Sequence, residues 1–435
     1  YKNCMIDRKV IFMKSLVSIW VALVMSFVNF VPGFVPPQKA ENVKSYPYIF
    51  VHGFLGWGED EGINDDLPYW GATSCNLIDN LNKEGYEAYD ASVGPFTSNW
   101  DRACELYAQL TGTTVDYGEA HSQKHNHLRY GRTYEKPLIE SWGEKNENGL
   151  YNKINLIGHS FGGNTVRMLM ELLANGDKDE LRITSPDTIS PLFTGGKSDW
   201  VNSVVTICSP NNGTTLGYIV TDMGLVDPVE TLMYIYAGIM GRSVFNGYVD
   251  FHMEQFGLTY APGVKKSRKS IYNAVKNVMQ STDDNVAKDL MCDGVEEFNQ
   301  RTGTEDNVYY FSYAFSTTKT VPLVNTEIPL PSTLAILQPF ATLMGAYKEN
   351  TQTDFSIDKS WRENDGLVNV VSAKYPFGAP HTDYDKDNIR TGIWNVMPLS
   401  VGDHGNAIGI GVSEEYTMNY YNGMIEMIEN LPVVS

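Results

Sequence analysis

The sequence is short of basic residues. Its 435 residues include 33 lysines and arginines against 52 aspartates and glutamates, which gives a formal net charge of −19 at pH 7. Nucleic acids and anionic lipid head groups recruit lysine and arginine, so this balance argues against both kinds of partner. Affinity for an oily surface would have to come from apolar contacts. Because 42% of the residues are hydrophobic and 20% are charged, a fully disordered chain is also excluded.

Cysteine is scarce as well. The chain has five cysteines, and no pair of them forms a Cys-x-x-Cys metal motif. They are Cys4, Cys75, Cys104, Cys208 and Cys292. The last four cysteines could pair in three ways. They are too few and too scattered along the chain to form a dense disulfide framework. We expect mostly buried thiols, and the disulfide state stays open.

Long apolar runs are limited to one, from Leu16 to Val31. Basic residues precede this run, and prolines and a polar segment follow it. The order is typical of a secretory signal peptide, so we assign residues 1–40 to a leader cleaved near Ala40 and expect a secreted protein. Because the run is nearly long enough to cross a bilayer, an uncleaved membrane anchor is the alternative.

The rest of the chain, residues 41–435, alternates between strand-like and helix-like patterns. Strand-like runs occupy residues 44–51, 154–157 and 201–207. Residues 165–174 carry apolar side chains at helical spacing and end on Asn175-Gly176, a good helix end. This alternation predicts an α/β domain with a mostly parallel, doubly wound sheet. Residues 217 to about 300 form a long insertion, and segments of that length are usually functional.

The clearest chemical motif is Gly158-His159-Ser160-Phe161-Gly162, which lies between a predicted strand and a predicted helix. In this G-x-S-x-G setting the serine occupies a strained turn, where larger residues in place of the glycines would collide with neighbouring elements. The amides that open the following helix point towards developing negative charge. Ser160 is therefore the predicted nucleophile.

A glycine-rich loop from His52 to Gly58 follows the first predicted strand. In this type of fold an early loop supplies one backbone donor of the oxyanion hole, and the residue after the nucleophile supplies the other. We therefore assign the two donors to the N–H groups of Phe54 and Phe161.

A nucleophilic serine needs a base, and the base needs an acid that orients it. In this architecture the acid and then the histidine follow the serine along the chain. Of the three histidines after Ser160, His404 lies on a late loop. That position suits the base better than His252 in the insertion or His381 in a polar loop.

The acid is assigned to Asp365. The sequence Asn364-Asp365-Gly366 predicts a tight turn before strand-like residues 367–371, which would place this carboxylate at a strand end facing the site. Four other aspartates are more typical of solvated surface charges: Asp354, Asp358, Asp383 and Asp403.

Several segments together resemble the large secreted lipases of bacilli and staphylococci. They are residues 52–58, 98–105, 114–118, the G-x-S-x-G motif and residues 363–369. The resemblance runs from about Tyr48 to His404. It implies an α/β-hydrolase fold, hydrolysis of carboxylic esters and a triad of Ser160, Asp365 and His404.

The resemblance also implies a structural zinc site. Three of the eight histidines, at positions 121, 125 and 127, lie in one short polar segment. The family pattern falls on Asp101, His121, His127 and Asp283, with the neighbouring Asp284 as the alternative for the fourth ligand. Such a closed site of histidines and carboxylates would hold the insertion to the core.

A second metal site of the family is expected to be lost. Many relatives hold calcium through a glutamate and an aspartate, but the corresponding positions here are Asn406 and Gly411. Two anionic oxygens that a hard cation needs are therefore missing. No organic cofactor is implied.

Residues Val229 to Phe245 form a candidate lid. They are apolar on nearly all faces, which predicts either a buried core helix or a lid that turns towards a lipid surface.

The predicted function is that of a secreted triacylglycerol lipase or esterase acting on water-insoluble esters. A broad carboxylesterase or polyester hydrolase with the same triad, and a non-catalytic surface-binding protein, are the alternatives. No protein partner is implied, and the acyl-chain preference and oligomeric state stay open.

Overall fold

The computed structural model describes residues 46–222, 250–258, 273, 276–278, 280–348 and 356–434. The leader, Asp354 and the candidate lid at 229–245 lie outside the described residues. Within the described ranges, no helix combines the length and the apolar composition that a membrane span needs.

A seven-stranded sheet forms the centre of the domain. Its strands are β1 (Tyr48–Val51), β2 (Ala88–Ala91), β5 (Ile154–His159), β6 (Val201–Ile207), β7 (Tyr309–Tyr313), β11 (His381–Asp383) and β12 (Trp394–Val396). Their order in the sheet is β11-β12-β7-β6-β5-β1-β2, and each neighbouring pair is parallel. Three small two-stranded sheets contain β3 (Thr114–Asp116), β4 (Tyr130–Thr133), β8 (Phe315–Ser316), β9 (Thr318–Val321), β10 (Thr326–Pro329) and β13 (Ser400–Val401).

Helices lie between the strands along the chain. The described α-helices are α1 (Ile63–Asp66), α2 (Leu77–Lys83), α3 (Asn99–Thr111), α4 (Glu119–His125), α5 (Phe161–Asn175), α6 (Lys178–Ile183), α7 (Thr215–Asp222), α8 (Val286–Leu290), α9 (Cys292–Arg301), α10 (Gln338–Ala346), α11 (Val370–Lys374) and α12 (Glu414–Glu429). Short 3-10 helices cover Pro191–Thr194, Ser198–Trp200, Glu254–Phe256, Lys359–Trp361 and Asn406–Ile408.

The two faces of the sheet contribute to two separate apolar cores. In β1, Ile49 and Val51 pack with residues of α3 and α5, whereas Tyr48 and Phe50 pack with residues of α2 and α12. Alternate side chains of a strand point to opposite faces, so a strand buried on both faces reads as one apolar run. The predicted α/β fold with a mostly parallel sheet is confirmed.

The observed boundaries of helices and strands agree in part with those predicted from the sequence. The predicted helix at 165–174 begins earlier, at Phe161, and ends where expected, with Gly176 at a φ of 66°. The strand-like interpretation of residues 367–371 is wrong, because helix α11 begins at Val370. Val368 and Val370 pack in a small cluster with Ala314 and Ala373 instead of joining a strand.

Candidate active site and metal centre

Ser160 stands between the end of β5 and the start of α5. Its backbone has φ 55° and ψ −129°, and its N–H donates to the Ile207 carbonyl at 2.8 Å. A non-glycine residue with positive φ is strained, and such strain concentrates at functional sites. A Cβ on Gly162 would lie 2.1 Å from the Val51 oxygen, and a Cβ on Gly158 would lie 2.4 Å from the Gly162 backbone. Only glycine fits both positions.

The glycine-rich loop after β1 runs directly beside Ser160. A Cβ on Gly53 would lie 2.7 Å from the Ser160 Cβ. The next residue is Phe54, while Phe161 is the first residue of α5. In the part of the chain that the structure describes, the N–H groups of Phe54 and Phe161 donate no hydrogen bond. Two free amides therefore flank the serine on separate elements.

His404 and Asp365 are in direct contact. The His404 Nδ1 and the Asp365 Oδ2 are 2.8 Å apart, and the Asp365 side chain is buried. The other oxygen of Asp365, Oδ1, accepts hydrogen bonds from the N–H groups of Leu367 at 2.9 Å and Val368 at 2.7 Å. An imidazole that donates from Nδ1 to a carboxylate keeps its Nε2 lone pair for a proton.

His159 and Tyr69 connect the segments that carry Gly53, Ser160 and His404. The His159 Nε2 lies 3.2 Å from the His404 carbonyl oxygen, and its Nδ1 lies 2.7 Å from the Tyr69 hydroxyl. That hydroxyl accepts a hydrogen bond from the Gly53 N–H at 2.9 Å. Burial, reinforced by the nearby His404, holds the pKa of His159 well below its usual value. A neutral ring that donates from Nε2 and accepts at Nδ1 satisfies both contacts.

Cys208 also contacts the site. It follows β6, is fully buried and has a φ of 51°, and its thiol hydrogen-bonds to Asp365. Burial and the Asp365 charge raise the pKa of this thiol well above its ordinary value, so the group stays protonated. Four cysteines lie within the described residues, Cys75, Cys104, Cys208 and Cys292, and each is a free thiol.

The other candidates for the base have different surroundings. His252 is buried and its Nε2 lies 2.8 Å from Glu61 Oε1, whereas His381 is exposed and stacks on the Tyr375 ring at 3.6 Å. Among the alternative acids, Asp358 and Asp383 are exposed. Asp403 is buried, and its side chain accepts hydrogen bonds from the N–H groups of Leu334, Gly405 and Asn406.

A second cluster brings together Asp101, His121, His127 and Asp284. One nitrogen or oxygen from each side chain lies within 4.8 Å of the others. Asp101 is in the first turn of α3, which begins after the N-cap residue Ser98. The two histidines belong to α4 and the residues just after it, and the second aspartate lies just before α8.

The fourth member of this cluster is Asp284, so the assignment to Asp283 is wrong. Asp284 is buried, and its Oδ2 lies 3.1 Å from His121 Nε2 and 3.3 Å from His127 Nε2. Asp283 is exposed. The reason is the local turn, in which the Asp284 N–H donates to Thr282 Oγ1 and the Asp283 carbonyl accepts from the Asn285 N–H.

The donor atoms of the cluster suit a zinc ion. Asp101 Oδ1 and His127 Nε2 are buried and, among the described residues, lack a well-directed hydrogen bond. The His127 Nδ1 faces the Leu128 carbonyl at 2.8 Å, which leaves Nε2 free to coordinate, and Gln255 donates to the other Asp101 oxygen at 2.7 Å. Two imidazoles and two carboxylates with such outer contacts form a donor set that can bind zinc.

The charges of the cluster favour a cation. Burial alone would lower the pKa of His121, but the Asp284 and Asp101 carboxylates outweigh it and raise the value to about 9. The site thus attracts positive charge even though it is buried. The ring of His125, the third histidine of the segment, lies 4.5 Å from the His121 ring, centre to centre, at a tilt of 40°, and His125 is not one of the four donors.

The loop after His404 is closed by its own hydrogen bonds. Asn406 Oδ1 accepts from the Asp403 N–H at 2.9 Å, and its Nδ2 donates to the Ile410 carbonyl at 3.0 Å. Gly411 donates to Thr73 Oγ1 at 3.0 Å. The expected loss of a calcium site at Asn406 and Gly411 stays a prediction.

The amino-acid sequence is similar to those of known proteins. A family model described as "Lipase-like, C-terminal domain" matches residues 44–429. Lipase 2 of Staphylococcus aureus strain MSSA476 is 35% identical over 413 residues, which are 90% of this chain and 55% of that protein. The chain therefore spans about half the length of the curated relatives it matches.

Two solved structures are similar over almost their whole length. The structure of EstA from Clostridium botulinum has a TM-score of 0.80 and 37% identity, with 91% of this chain and 90% of that chain covered. Lipase 1 from Pelosinus fermentans has a TM-score of 0.77 and 39% identity, with 90% of this chain and 100% of that chain covered.

Proposed function

Because this chain belongs to the family of lipase-like C-terminal domains, we propose that it is a secreted serine hydrolase of carboxylic esters, of the triacylglycerol lipase type. Asp365, His404 and Ser160 form its triad, and the Phe54 and Phe161 amides form its oxyanion hole.

The contact between His404 and Asp365 carries this proposal. The pair is buried and aligned at 2.8 Å, and the His404 carbonyl accepts a hydrogen bond from His159, the residue directly before Ser160. A base oriented by an acid and held against the elbow of a strained serine is the arrangement that acyl transfer requires. The two free amides beside the serine add the donors for an oxyanion.

The reaction proceeds in two acyl-transfer steps. His404 takes the Ser160 proton through Nε2 while the serine oxygen attacks the ester carbonyl. The Phe54 and Phe161 amides stabilise the oxyanion, and the Asp365 carboxylate stabilises the imidazolium that forms. His404 then gives its proton to the leaving alcohol. In the second step it activates a water molecule, which releases the acid and restores the serine.

We further propose that Asp101, His121, His127 and Asp284 hold a structural zinc ion. A closed four-ligand site supplies a cross-link and takes no part in the reaction. Here it would tie α3 and α4 to the segment before α8, within the long insertion. No calcium requirement and no organic cofactor are proposed.

The substrate is proposed to be a long-chain acylglycerol presented at a water–lipid interface. The lid assigned to residues 229–245 and export directed by residues 1–40 belong to this proposal, although both segments lie outside the described residues. An acidic chain of net charge −19 would meet such an interface through apolar contacts.

A substrate series tests the function. We expect hydrolysis of p-nitrophenyl esters and of triglyceride emulsions, and near-complete loss of both with Ser160→Ala, together with loss of fluorophosphonate labelling. Preference for short soluble esters would instead support a broad carboxylesterase, and activity on polyester films would support a polyester hydrolase. Equal rates for Ser160→Ala and the wild type would contradict the triad and support a non-catalytic protein.

Lid deletion separates the two interpretations of residues 229–245. Removing Val229 to Phe245 should reduce the rate on emulsions more than the rate on short soluble esters, because a lid acts at the interface. Equal loss on both substrates would instead indicate a core helix.

A further inference from the structure

Arg102 is a buried cation that the reaction scheme above does not use. It lies in α3 directly after the metal-cluster residue Asp101, and its relative exposure is 0%. Burying a guanidinium is costly unless its donors are satisfied. Its contacts therefore show which segments the guanidinium holds in place close to the candidate catalytic site.

The guanidinium donates to three different segments. Its Nε donates to Thr165 Oγ1 at 2.8 Å, its Nη1 donates to the Gly94 carbonyl at 2.6 Å, and its Nη2 donates to the His52 carbonyl. The planar fork of arginine can serve three acceptors in fixed directions, which the ammonium of a lysine cannot reproduce.

Two of these segments carry the proposed oxyanion donors. His52 lies two residues before Phe54, in the glycine-rich loop. Thr165 lies on α5, and its hydroxyl, which accepts from Arg102, donates to the Phe161 carbonyl at 3.2 Å. The guanidinium carbon also lies 5.1 Å from the centre of the Phe161 ring. One side chain thus joins the elements that present the two amides.

Among the residues that the structure describes, no carboxylate bonds directly to Arg102. An arginine guanidinium keeps its proton in proteins, so the group is charged at neutral pH. The Glu105 carboxyl group is joined to Arg102 through the Gly94 peptide, whose carbonyl accepts from Arg102 while its N–H donates to Glu105 Oε2 at 2.6 Å. A buried positive charge that is bonded to the two elements carrying these amides favours the negative charge of an oxyanion in a low-dielectric site.

We propose that Arg102 is the positioning residue of the oxyanion hole, fixing the Phe54 amide and the Phe161 amide at the separation that the tetrahedral intermediate requires. This inference rests on the proposed ester hydrolase function. Arg102 acts through His52, Thr165 and the Phe161 ring.

The test compares Arg102→Lys with a matched variant. Arg167 is a second buried arginine, on α5, and it donates to Asn299 at 2.6 Å and Thr302 at 3.0 Å while its guanidinium carbon lies 4.6 Å from the Phe298 ring centre. Arg167→Lys therefore makes the same chemical change away from the oxyanion donors. Both variants are prepared as the full chain, and folding is compared by circular dichroism and Tm.

The readouts are kcat, KM and the inhibition constant of an alkyl trifluoromethyl ketone, which forms a tetrahedral adduct with the serine. For Arg102→Lys we expect kcat on p-nitrophenyl butyrate to fall by about 10- to 100-fold with KM nearly unchanged, since small displacements in a site cost about that much. Affinity for the ketone should fall by a similar factor, because the ketone adduct carries the oxyanion. Arg167→Lys should keep both values near those of the wild type.

Thr165→Val gives a second measurement that does not depend on how well Arg102→Lys folds. It removes the acceptor of Arg102 Nε at constant volume and should lower kcat and ketone affinity together, whereas Thr165→Ser should restore them. Wild-type kcat in both Arg102→Lys and Thr165→Val, beside an inactive Ser160→Ala, would overturn this inference alone. Equal losses of kcat in Arg102→Lys and Arg167→Lys would overturn it too, in favour of a general structural role. A Ser160→Ala variant as active as the wild type would overturn the proposed function and the inference together.

Discussion

Gly53 approaches Ser160 so closely that a Cβ on the glycine would lie 2.7 Å from the Cβ of the serine. The same atom would lie 3.1 Å from the His159 carbonyl oxygen and 3.1 Å from the Tyr69 hydroxyl. Real Cβ atoms essentially never make contacts below 3.0 Å. The loop after β1 can therefore reach the serine only because residue 53 has no side chain.

Gly53→Ala should separate the loop from the serine. We expect kcat for a short soluble ester to fall by about 10- to 1,000-fold, because the Phe54 amide would move with residue 53 and one oxyanion donor is worth about that much. Gly303→Ala is the matched control, since a Cβ there meets nothing within 4 Å. Steady-state kinetics on both variants check this, and unchanged kcat in Gly53→Ala would remove Phe54 from the oxyanion hole.

Asp365→Asn should preserve the shape of the site and remove its charge. An amide at this position would force His404 into the wrong tautomer or leave its imidazolium without a counter-charge, so we expect kcat to fall by about four orders of magnitude. The exposed Asp383 provides the control as Asp383→Asn. Both rates are measured with p-nitrophenyl butyrate, and a loss of less than about tenfold in Asp365→Asn would assign the acid elsewhere.

The sequence could predict those parts of the proposed site that depend only on residues close together in the chain. The G-x-S-x-G motif, the loop at 52–58 and the turn at Asp365 each combine their chemistry with the neighbouring residues that shape the backbone. The parallel sheet was predictable for the same reason, since its strands are buried on both faces and appear as short apolar runs.

The contacts between distant segments could not be predicted in this way. Tyr69 lies 90 positions from His159, and nothing near it in the sequence indicates that its hydroxyl contacts the elbow. Cys208 and Arg102 are likewise found only from the fold. The choice between Asp283 and Asp284 depends on one turn, because neighbouring residues point in different directions and only the backbone shows which carboxylate is buried.

That choice gives a prediction about metal content. Asp284→Asn should lower the zinc bound after purification from about one equivalent to a small fraction, because it removes a charged ligand of a four-ligand site. Asp283→Asn should keep the wild-type zinc content, since Asp283 is exposed. Elemental analysis by mass spectrometry measures both. Less than a small fraction of an equivalent in the wild-type protein, or loss in Asp283→Asn alone, would contradict the assigned cluster.

The effect of a chelator on thermal stability should follow the zinc content of each protein. Removing zinc from the wild type with a strong chelator should lower Tm, because the proposed ion would cross-link segments that are far apart in the chain. Asp284→Asn should show the lower Tm without chelator and change little when chelator is added. A chelator effect of equal size in both proteins would mean that the ion stabilises the fold from another site.

Glu105 provides a test of the buried network beside Arg102 through the pH dependence of stability. Its carboxyl group is fully buried, accepting from the Gly94 N–H at 2.6 Å and from the Tyr117 hydroxyl at 3.1 Å. Burial raises its pKa from the usual 4.5 to about 7 in the folded protein. Between these two values the unfolded chain ionises while the folded chain keeps its proton, so stability is lost as the pH rises from about 4.5 to about 7.

Glu105→Gln removes this titration and keeps the shape of the side chain. Relative to the wild type, the free energy of unfolding of the variant should therefore increase by about 1 to 3 kcal/mol between pH 5 and pH 8, as each unit of pKa shift corresponds to about 1.4 kcal/mol. Urea unfolding at several pH values measures the difference, in which the other titrating groups largely cancel. Parallel stability curves for the two proteins would show that Glu105 ionises in the folded state as it does in water. The Gly94 peptide would then link Arg102 to a carboxylate that is largely ionised from pH 5 to pH 8.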